Sequence, residues 1–236
     1  MRAIFRNFLL VYMACLGIVL ISTALFGTDF SDQKGLIKQA ALLFLLYLSG
    51  SIPFGLFIAK AFTKKDVRNL GSGNIGTSNV LRTGSKTAAF LTLTFDLLKG
   101  LIPILLLQRY APSTLFTTPL YDSLLLVPVL GHMYPCWLHF KGGKGIATGL
   151  GVLLAFSWPL ALVGLLIWLI SAAVFRISSL AGLISFGLLP VLALSFAPWQ
   201  QTIRLFVLSA LVFWAHRDNI KRLLTGQEKK IGKAPK

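Results

Sequence analysis

Residues 87–108 read TAAFLTLTFDLLKGLIPILLLQ, an apolar run that contains one acidic and one basic side chain. An α-helix rises about 1.5 Å per residue, so a run of this length crosses the roughly 30 Å hydrocarbon core of a bilayer. The rest of the chain agrees: 56% of its 236 residues are hydrophobic, only 13% are charged, and the mean hydropathy is +0.77. The sequence therefore predicts a membrane protein and excludes disordered, collagen-like and ordinary soluble enzyme domains.

Further apolar segments lie on both sides of this run. The eight candidate spans are 8–26, 37–60, 87–108, 119–137, 145–157, 159–175, 180–196 and 203–216. The segment 145–157 is too short for a full crossing, so we expect it to be tilted or buried in the bundle. Pro159 readily begins a helix, which favours a reversal before it over one long span. The predicted fold class is all-α, a polytopic membrane helix bundle.

The distribution of lysine and arginine predicts the orientation. The chain has 23 Lys and Arg against 7 Asp and Glu, and cytoplasmic loops of membrane proteins hold the excess of cations. With the N-terminus inside, the cytoplasmic segments collect Arg2, Arg6, Lys60, Lys64, Lys65, Arg68, Arg82, Lys86, Lys141, Lys144, Arg176, Arg217, Lys221, Arg222, Lys229, Lys230, Lys233 and Lys236. The opposite side holds only Lys34, Lys38, Arg109 and Arg204. The polar segments 63–86, 138–147 and 216–236 are therefore predicted to share the cytoplasmic side.

The first polar segment contains GSGNIG at residues 71–76. This matches the glycine pattern of dinucleotide sites, but no strand precedes it, so the match is weak. Glycines let backbone N–H groups approach an anion, and the neighbouring Ser72 and Asn74 add neutral donors. The segment is interpreted as an anion-binding loop, with a flexible, positively charged loop as the alternative.

The second polar segment contains HFKGGKG at residues 139–145, followed at once by a helical pattern. It is not a Walker A loop, because its Gly-Lys pair precedes another glycine. A glycine turn with two lysines at a helix N-terminus still favours phosphate, since free N–H groups and the helix dipole attract an anion. Lysines that snorkel at the end of a span are the alternative.

The third polar segment begins HRDNIKR at residues 216–222. A basic tail after the last span often serves topology or contact with anionic lipid. His216 at the membrane boundary is either a titrating group or a satisfied interfacial histidine. Ser179, near Arg176 between two spans, is predicted to face the same cytoplasmic mouth.

Ionisable residues also lie inside the apolar spans. Asp96 and Lys99 are three residues apart on one predicted helix and can neutralise each other. Such groups are functional candidates in a membrane, but a structural ion pair is the more economical interpretation. His132 is a second candidate with the same alternative. Cys15 and Cys136 lie in apolar runs, and neither His nor Cys residues have metal-ligand spacing.

Taken together and in this order, the motifs resemble the bacterial acyl-phosphate:glycerol-3-phosphate acyltransferase family. The residues that carry the resemblance are 50–55 (GSIPFG), 71–76 (GSGNIG), Asn79, Arg82, 96–100 (DLLKG), Gly131-His132, 140–148 (FKGGKGIAT), Ser179-Leu180, 216–223 (HRDNIKRL), Glu228 and Lys230-Ile231. The resemblance covers roughly 40–231. The family has seven spans that begin near Ala40, so residues 1–36 are predicted to add a transmembrane helix and an external loop to an acyltransferase membrane domain at 37–236. The chain has Thr77-Ser78 where the family has Ala-Thr, which keeps a small side chain and a hydroxyl.

The resemblance implies acyl transfer from a fatty acyl phosphate to the 1-hydroxyl of glycerol 3-phosphate, with lysophosphatidic acid and inorganic phosphate as products. It implies membrane lipids as further partners and no nucleic acid, metal or cofactor. It also implies a multi-pass protein of the bacterial cell (inner) membrane with its site on the cytoplasmic side.

The resemblance further implies roles for individual residues. The catalytic group would comprise Ser72, Arg82, Lys144, Ser179, His216 and Asn219. The phosphate loops would bind substrate through Gly71, Gly73, Asn74, Asn79, Lys141, Gly142, Gly143 and Gly145. Ser72, its adjoining amides and Gly142-Gly143 would hold the acyl phosphate, and Arg82, Lys144, His216 and Asn219 would hold glycerol 3-phosphate. The proton acceptor is either His216 or the acyl phosphate itself, and Glu228 is expected to pair with cations of the tail.

Two other interpretations remain open on the sequence. A transporter or flippase for an anionic lipid or a phosphate ester could use the same basic loops, although no internal repeat typical of transporters is found. A non-catalytic membrane partner of a lipid enzyme could retain the motifs without using them. Both differ from the enzyme in forming no ester bond.

Overall fold

The computed structural model of the protein describes residues 33–111, 113–117 and 119–231. This part of the chain is helical and contains no strand. Its helices are α1 Gln33–Ser51, α2 Phe54–Thr63, α3 Thr77–Val80, α4 Lys86–Tyr110, α5 Pro119–Met133, α6 Ile146–Phe156, α7 Trp158–Phe175, α8 Ser178–Phe196, α9 Trp199–Ala215 and α10 Arg217–Leu224. Short 3-10 turns lie at Val67–Asn69, Leu81–Thr83, Ser113–Thr117 and Cys136–Leu138. The predicted all-α class is confirmed, and the predicted span 8–26 lies outside the described residues.

Four segments of the described chain are long and apolar enough to cross a membrane. They are Ile37–Thr63, Lys86–Tyr110, Trp158–Phe175 and Ser178–Phe196. The predicted spans 119–137 and 203–216 correspond to the shorter helices α5 and α9, of 15 and 17 residues. Helix α5 ends before the predicted boundary because Pro135 disfavours helical backbone in the residue before it.

The first of these spans is broken between α1 and α2. Pro53 has no amide hydrogen, so the helical ladder stops at this point. The carbonyl of Ile52 then accepts hydrogen bonds from the Phe54 amide at 3.0 Å and from Lys99 Nζ at 2.8 Å. The sequence predicted one continuous span at 37–60, and the structure places a break in it that α4 stabilises.

Helix α6 is apolar but short. Its 11 residues give about 16 Å of length, too little for a crossing. It packs on α4 at small residues: a Cβ added at Gly151 would overlap the Leu97 carbonyl, and one added at Gly100 would overlap the Thr148 carbonyl. Helix α7 follows after the single residue Ser157, with Pro159 in its first turn. The reversal before Pro159 and the buried position of α6 are as predicted.

The helices pack as pairs around a shared apolar core. Helix α1 packs on α5, α2 on α4, α7 on α8 and α8 on α9. The largest core cluster is buried between α1, α4, α5, α6, α8 and α9. The packing leaves the loops that contain 63–86, 138–147 and 216–231 at one end of the bundle, which we call the polar end.

Candidate active site

Asn79, in the short helix α3, organises the first glycine loop. Its Nδ2 donates to the carbonyls of Val67, Leu70 and Asn74 at 2.8–2.9 Å. Its Oδ1 accepts from the Ser72 amide at 3.2 Å and from the Arg82 guanidinium at 3.3 Å. Both polar atoms of the Asn79 side chain therefore have hydrogen-bond partners within the protein. Asn79 shapes the loop and sets Arg82, and the predicted direct bond to substrate would compete with these contacts.

The backbone of the first loop needs glycine at two of its predicted positions. Gly71 and Gly73 have φ of +56° and +69°, the left-handed region that a side chain disfavours. A Cβ at Gly71 would also overlap the Asn79 side-chain oxygen. Ser72 lies between them and is exposed at the polar end. Ser72 is thus exposed on a backbone that Gly71 and Gly73 constrain.

The second glycine loop is joined to the first by one side chain. Asn74 Nδ2 donates to the Gly142 carbonyl at 3.0 Å, while Asn74 Oδ1 accepts from the Gly76 amide at 2.8 Å. The contact spans 68 residues of sequence. Asn74 therefore fixes the position of one glycine loop relative to the other, although the sequence predicted a substrate-binding role for it.

The amides of Gly142 and Gly143 differ from the prediction. Gly142 N donates to the Met133 carbonyl at 3.0 Å and Gly143 N donates to the His132 carbonyl at 2.9 Å. These N–H groups are not free, so they do not form the predicted amide cradle for an anion. Both glycines instead allow the loop to lie directly against the end of α5, because an added Cβ would overlap atoms there. The side chain of Lys144 is partly buried and remains a candidate donor to an anion, while Lys141 is exposed.

A single carboxylate joins the third segment to the rest of the polar end. Glu228 accepts from Ser179 Oγ at 2.8 Å and Asn219 Nδ2 at 2.6 Å on one oxygen. The other oxygen accepts from Arg222 Nε at 2.6 Å. The predicted pairing with a tail cation is confirmed by Arg222. The bonds to Ser179 and Asn219 were not predicted, and they bring α8, α10 and the tail together.

Several charges act on Lys144 at this end. Burial lowers the pKa of Lys144 to about 8, with the Glu228 carboxylate opposing the shift and the cations Arg222 and Arg82 adding to it. Burial likewise lowers the pKa of Arg82, which stays charged at neutral pH because its usual value is so high. For Glu228, the hydrogen bonds from its three partners outweigh burial and hold the pKa below its usual value. Around Lys144 the cations Arg82 and Arg222 are therefore balanced in part by two carboxylates, Glu228 and the less influential Asp218.

Helix N-termini add to the positive potential. The first helical hydrogen bond of α6 runs from Gly149 N to the Gly145 carbonyl, and that of α8 from Ala181 N to the Ile177 carbonyl. The amides of the first turn lie outside these ladders and point out of the helix ends. Gly145 has φ of +84°, which lets the chain enter α6 directly after Lys144. The macrodipoles of α6 and α8 both favour an anion at the polar end.

His216 is buried where α9 meets α10. Its Nδ1 lies 2.8 Å from the Val212 carbonyl, and burial, followed by the charge of Lys144, lowers its pKa to about 4. A carbonyl only accepts, so Nδ1 of the neutral ring carries the hydrogen and Nε2 is free to accept one. Nε2 points toward Gly182 of α8, where an added Cβ would lie 4.0 Å away. The ring is a neutral acceptor at pH 7.

The six residues of the predicted catalytic group lie at the polar end. Arg82, Lys144 and His216 are electrostatically coupled to Glu228, and Ser179 and Asn219 bind it directly. Ser72 joins this group through Asn79 and Arg82. Among the described residues, no three His, Cys, Asp or Glu side chains gather as metal ligands would.

Sequence reasoning missed the central position of Glu228 and the part of Arg222. One signal was present: Glu228 is the only glutamate in the chain and the only acid in the basic stretch 219–236. A single carboxylate among many cations is attracted to several of them, so ion pairs of Glu228 are expected. Its contacts with α8 depend on the tail folding back, which no local pattern predicts.

Glu228→Gln is expected to destabilise the protein by roughly 1–3 kcal/mol, because Arg222 loses its counter-charge in a partly buried site. For a chain of this size that corresponds to a fall of several degrees in the midpoint of thermal unfolding in detergent. The matched control is Asp122→Asn, which also removes a carboxylate bound to an arginine, Arg204, at 2.6 Å. Asp122 is 47% exposed, so we expect a loss below about 1 kcal/mol. Equal shifts in the two variants would contradict the central role of Glu228.

The fold and this site define a class of protein: an all-helical membrane protein with a cationic site at one end of an apolar bundle. The sequence model of the family described as glycerol-3-phosphate acyltransferase matches residues 40–226. The chain therefore belongs to the glycerol-3-phosphate acyltransferase family, and the resemblance inferred from its motifs is confirmed.

Individual relatives agree with this assignment. The chain is 50% identical over 187 residues to a glycerol-3-phosphate acyltransferase of Mesorhizobium japonicum, covering 79% of this chain and 92% of that one. It is 46% identical over 203 residues to one of a Jannaschia species, covering 84% and 98%.

Solved structures share the fold. The crystal structure of PlsY (YgiH), an integral membrane glycerol 3-phosphate acyltransferase, in its glycerol 3-phosphate form is 39% identical, with a TM-score of 0.75. The match covers 82% of this chain and 96% of that chain. The structure of its lysphosphatidic acid form gives a TM-score of 0.73 at 38% identity. The protein is thus an integral membrane protein, as its apolar helices also indicate.

Proposed function

We propose that the protein transfers a fatty acyl group from a fatty acyl phosphate to the 1-hydroxyl of glycerol 3-phosphate, giving 1-acylglycerol 3-phosphate and inorganic phosphate. This is the first acylation of phospholipid synthesis. The observation that carries the proposal is the convergence of Arg82, Lys144 and Arg222 at the mouth of an apolar bundle. Both reactants bear a phosphate and one bears a long apolar chain. The reaction therefore needs a cationic site next to an apolar surface.

The geometry supports a division of roles. Arg82 and Lys144 are semi-buried cations suited to the phosphate of glycerol 3-phosphate, because desolvated charges form strong charge-assisted hydrogen bonds. We assign Asn219 and Ser179, which Glu228 holds, to the glycerol hydroxyls. Ser72 on the rigid first loop is the donor proposed for the acyl phosphate. Binding two anions in one place raises their effective concentration, which accounts for a large part of the rate enhancement.

The chemistry is a nucleophilic acyl substitution. The 1-hydroxyl oxygen attacks the carbonyl carbon, the new ester bond forms, and the bond between that carbon and the phosphate oxygen breaks. The hydroxyl proton leaves on the departing phosphate. His216 is a weak base because its pKa lies at about 4, and a backbone carbonyl rather than a carboxylate orients it. A phosphate oxygen is the stronger acceptor, so we place His216 as a neutral hydrogen-bond partner of the substrate.

The proposal extends to the membrane arrangement. The polar end would face the cytoplasm, because it carries most of the cations of the chain. The acyltransferase domain at 37–236 would have the seven spans of the family, of which the short α6 would not cross the bilayer fully, with residues 1–36 adding one helix. The protein would reside in the bacterial cell (inner) membrane, where its acyl donor and its lipid product partition.

The test uses purified protein in detergent with palmitoyl phosphate as donor. We expect release of inorganic phosphate that depends on glycerol 3-phosphate, with one lysophosphatidic acid formed per phosphate by mass spectrometry. Palmitoyl-CoA in place of palmitoyl phosphate is expected to give no product. Equal rates with the two donors would refute the proposed specificity for an acyl phosphate. In proteoliposomes, exchange of phosphate esters across the bilayer without a new ester bond would favour a transporter.

The charge of Lys144 predicts an alkaline limit to this activity. Its ammonium is present below a pKa of about 8 and is lost as the pH rises through that value. We therefore expect kcat/KM for glycerol 3-phosphate to fall above pH 8, approaching about tenfold per pH unit, since this parameter reports the free enzyme. Phosphate release is followed from pH 6.5 to 9.5, after subtraction of spontaneous hydrolysis of the donor.

Lys144→Arg is the control for this profile. A guanidinium stays charged throughout the range, so the variant should lack the fall above pH 8 even if its activity is lower. Profiles of the same shape for the two proteins would refute Lys144 as the titrating group.

A further inference from the structure

A cluster of charged side chains is buried directly behind the second glycine loop. Asp96 and Lys99 of α4 are 1% and 0% exposed, and His132 of α5 is 3% exposed. Lys99 Nζ lies 2.7 Å from Asp96 Oδ1, as the predicted structural ion pair requires. His132 Nδ1 lies 3.6 Å from the same oxygen. Burying such charges costs several kcal/mol, and an apolar set of similar volume is often no less stable. Bundle stability alone is therefore a weak reason for the cluster.

The cluster touches the loop at His132. The carbonyl of His132 accepts the Gly143 amide at 2.9 Å. Its ring packs against the same residue, because a Cβ added at Gly143 would overlap Nε2, Cε1 and Cδ2 of the imidazole. Gly143 immediately precedes Lys144. Two contacts therefore hold Gly143, one with the carbonyl and one with the ring of His132. These contacts set the direction of the backbone from which the Lys144 side chain starts.

The ring is in turn oriented from the opposite side. Nδ1 of His132 has no hydrogen-bond partner among the described residues, and it lies 3.6 Å from Asp96 Oδ1. Lys99 fixes Asp96 and also donates to the Ile52 carbonyl at the break between α1 and α2. A continuous series of contacts therefore runs from α4, through His132, to the loop that carries Lys144.

We propose that His132, oriented by Asp96 and Lys99, is a positioning residue that sets Lys144 for the phosphate of glycerol 3-phosphate. This inference rests on the proposed function and deepens it. The histidine does not touch substrate; it acts through Gly143. Loss of its orientation moves the lysine and weakens mainly the binding of glycerol 3-phosphate. Asn79 shapes the first glycine loop from within that loop, and Asn74 joins the two loops at the Gly142 carbonyl rather than at Gly143.

The test compares His132→Phe, Asp96→Asn and the double variant. Phe keeps a ring against Gly143 but removes the atom that faces Asp96. We expect KM for glycerol 3-phosphate to rise about tenfold in each single variant, with KM for palmitoyl phosphate within about twofold of wild type. Because both residues act in one series, the double variant should be no worse than His132→Phe alone.

A general loss of packing is separated from positioning by a control. Ser185→Ala removes the buried hydroxyl that donates to the Gly164 carbonyl between α8 and α7. It should lower the unfolding midpoint and leave both KM values unchanged. Should Asp96→Asn fail to fold because Lys99 stays buried and unpaired, the neutral pair Asp96→Asn with Lys99→Met takes its place, with the same expected KM.

The outcomes distinguish the two proposals. Wild-type turnover with unchanged KM in the folded variants would overturn the positioning role and leave the proposed function intact. Equal rises in both KM values, or additive effects in the double variant, would also overturn it. Absence of glycerol 3-phosphate-dependent turnover in the wild type would overturn both.

Discussion

Replacing Arg82 by Ala is expected to lower kcat/KM for glycerol 3-phosphate by at least about a hundredfold, the loss of one charge-assisted contact that strengthens in the transition state. Arg82 is positioned by Asn79 Oδ1 at 3.3 Å and is partly buried beside Glu228 and Arg222. The rate of phosphate release from palmitoyl phosphate gives kcat/KM, and the unfolding midpoint reports whether the variant is folded.

Arg68→Ala is the matched control, since it removes the same side chain from the same polar segment. Arg68 pairs with Asp66 at 2.7 Å on the surface, with 45% of its side chain exposed. Such a pair contributes about 0–1 kcal/mol, so we expect turnover within about twofold of wild type. Similar losses in both variants would mean that the loop matters only through its total charge, and the assignment of Arg82 to a substrate phosphate would be wrong.

Lys144→Ala is expected to have an effect of similar size, at least about a hundredfold in kcat/KM. The ammonium is largely desolvated, which strengthens its bond to a phosphate compared with an exposed lysine. The loss should appear mainly in KM for glycerol 3-phosphate if the contact is equally strong in ground and transition states, and in kcat if it is stronger in the transition state. Initial rates over a matrix of both substrates separate the two cases.

Lys86→Ala provides the comparison for Lys144. Lys86 is exposed at the first turn of α4, on the same polar end of the bundle. Its removal changes the net charge by the same amount, and we expect no measurable change in KM. A comparable loss in Lys86→Ala would indicate long-range attraction of the substrate, which high salt would abolish, and would refute a direct contact at Lys144.

The fold was predictable because hydrophobic length and charge placement are properties of the chain itself. Runs of about 20 apolar residues gave the long helices α4, α7 and α8 within a few residues. The break at Ile52–Pro53 was harder to predict from the sequence. A proline can remain inside a membrane helix when neighbouring groups bind the backbone carbonyls that it leaves without a partner. Here the neighbour is Lys99, and only the packed structure brings its ammonium to that carbonyl.

The residues of the site were predictable as a set, but their individual contacts were not. Glycine and asparagine in the two loops indicated an anion site. The sequence could not tell that the Gly142 and Gly143 amides bind the carbonyls of α5, or that Asn79 binds the first loop. A donor has many possible acceptors, and the folded packing selects one. The same holds for Glu228, whose three partners come from two separate helices, α8 and α10.

The way the tail folds back also affects how the protein can be shortened or fused. The Ile231 amide donates to the Arg176 carbonyl at 2.7 Å, beyond Glu228 and beyond residue 226, where the family match ends. A truncation drawn at that family boundary would discard the anion that holds Ser179 and Asn219. An affinity tag or reporter joined directly after residue 231 would crowd the same junction, so a flexible spacer is advisable in any expression design.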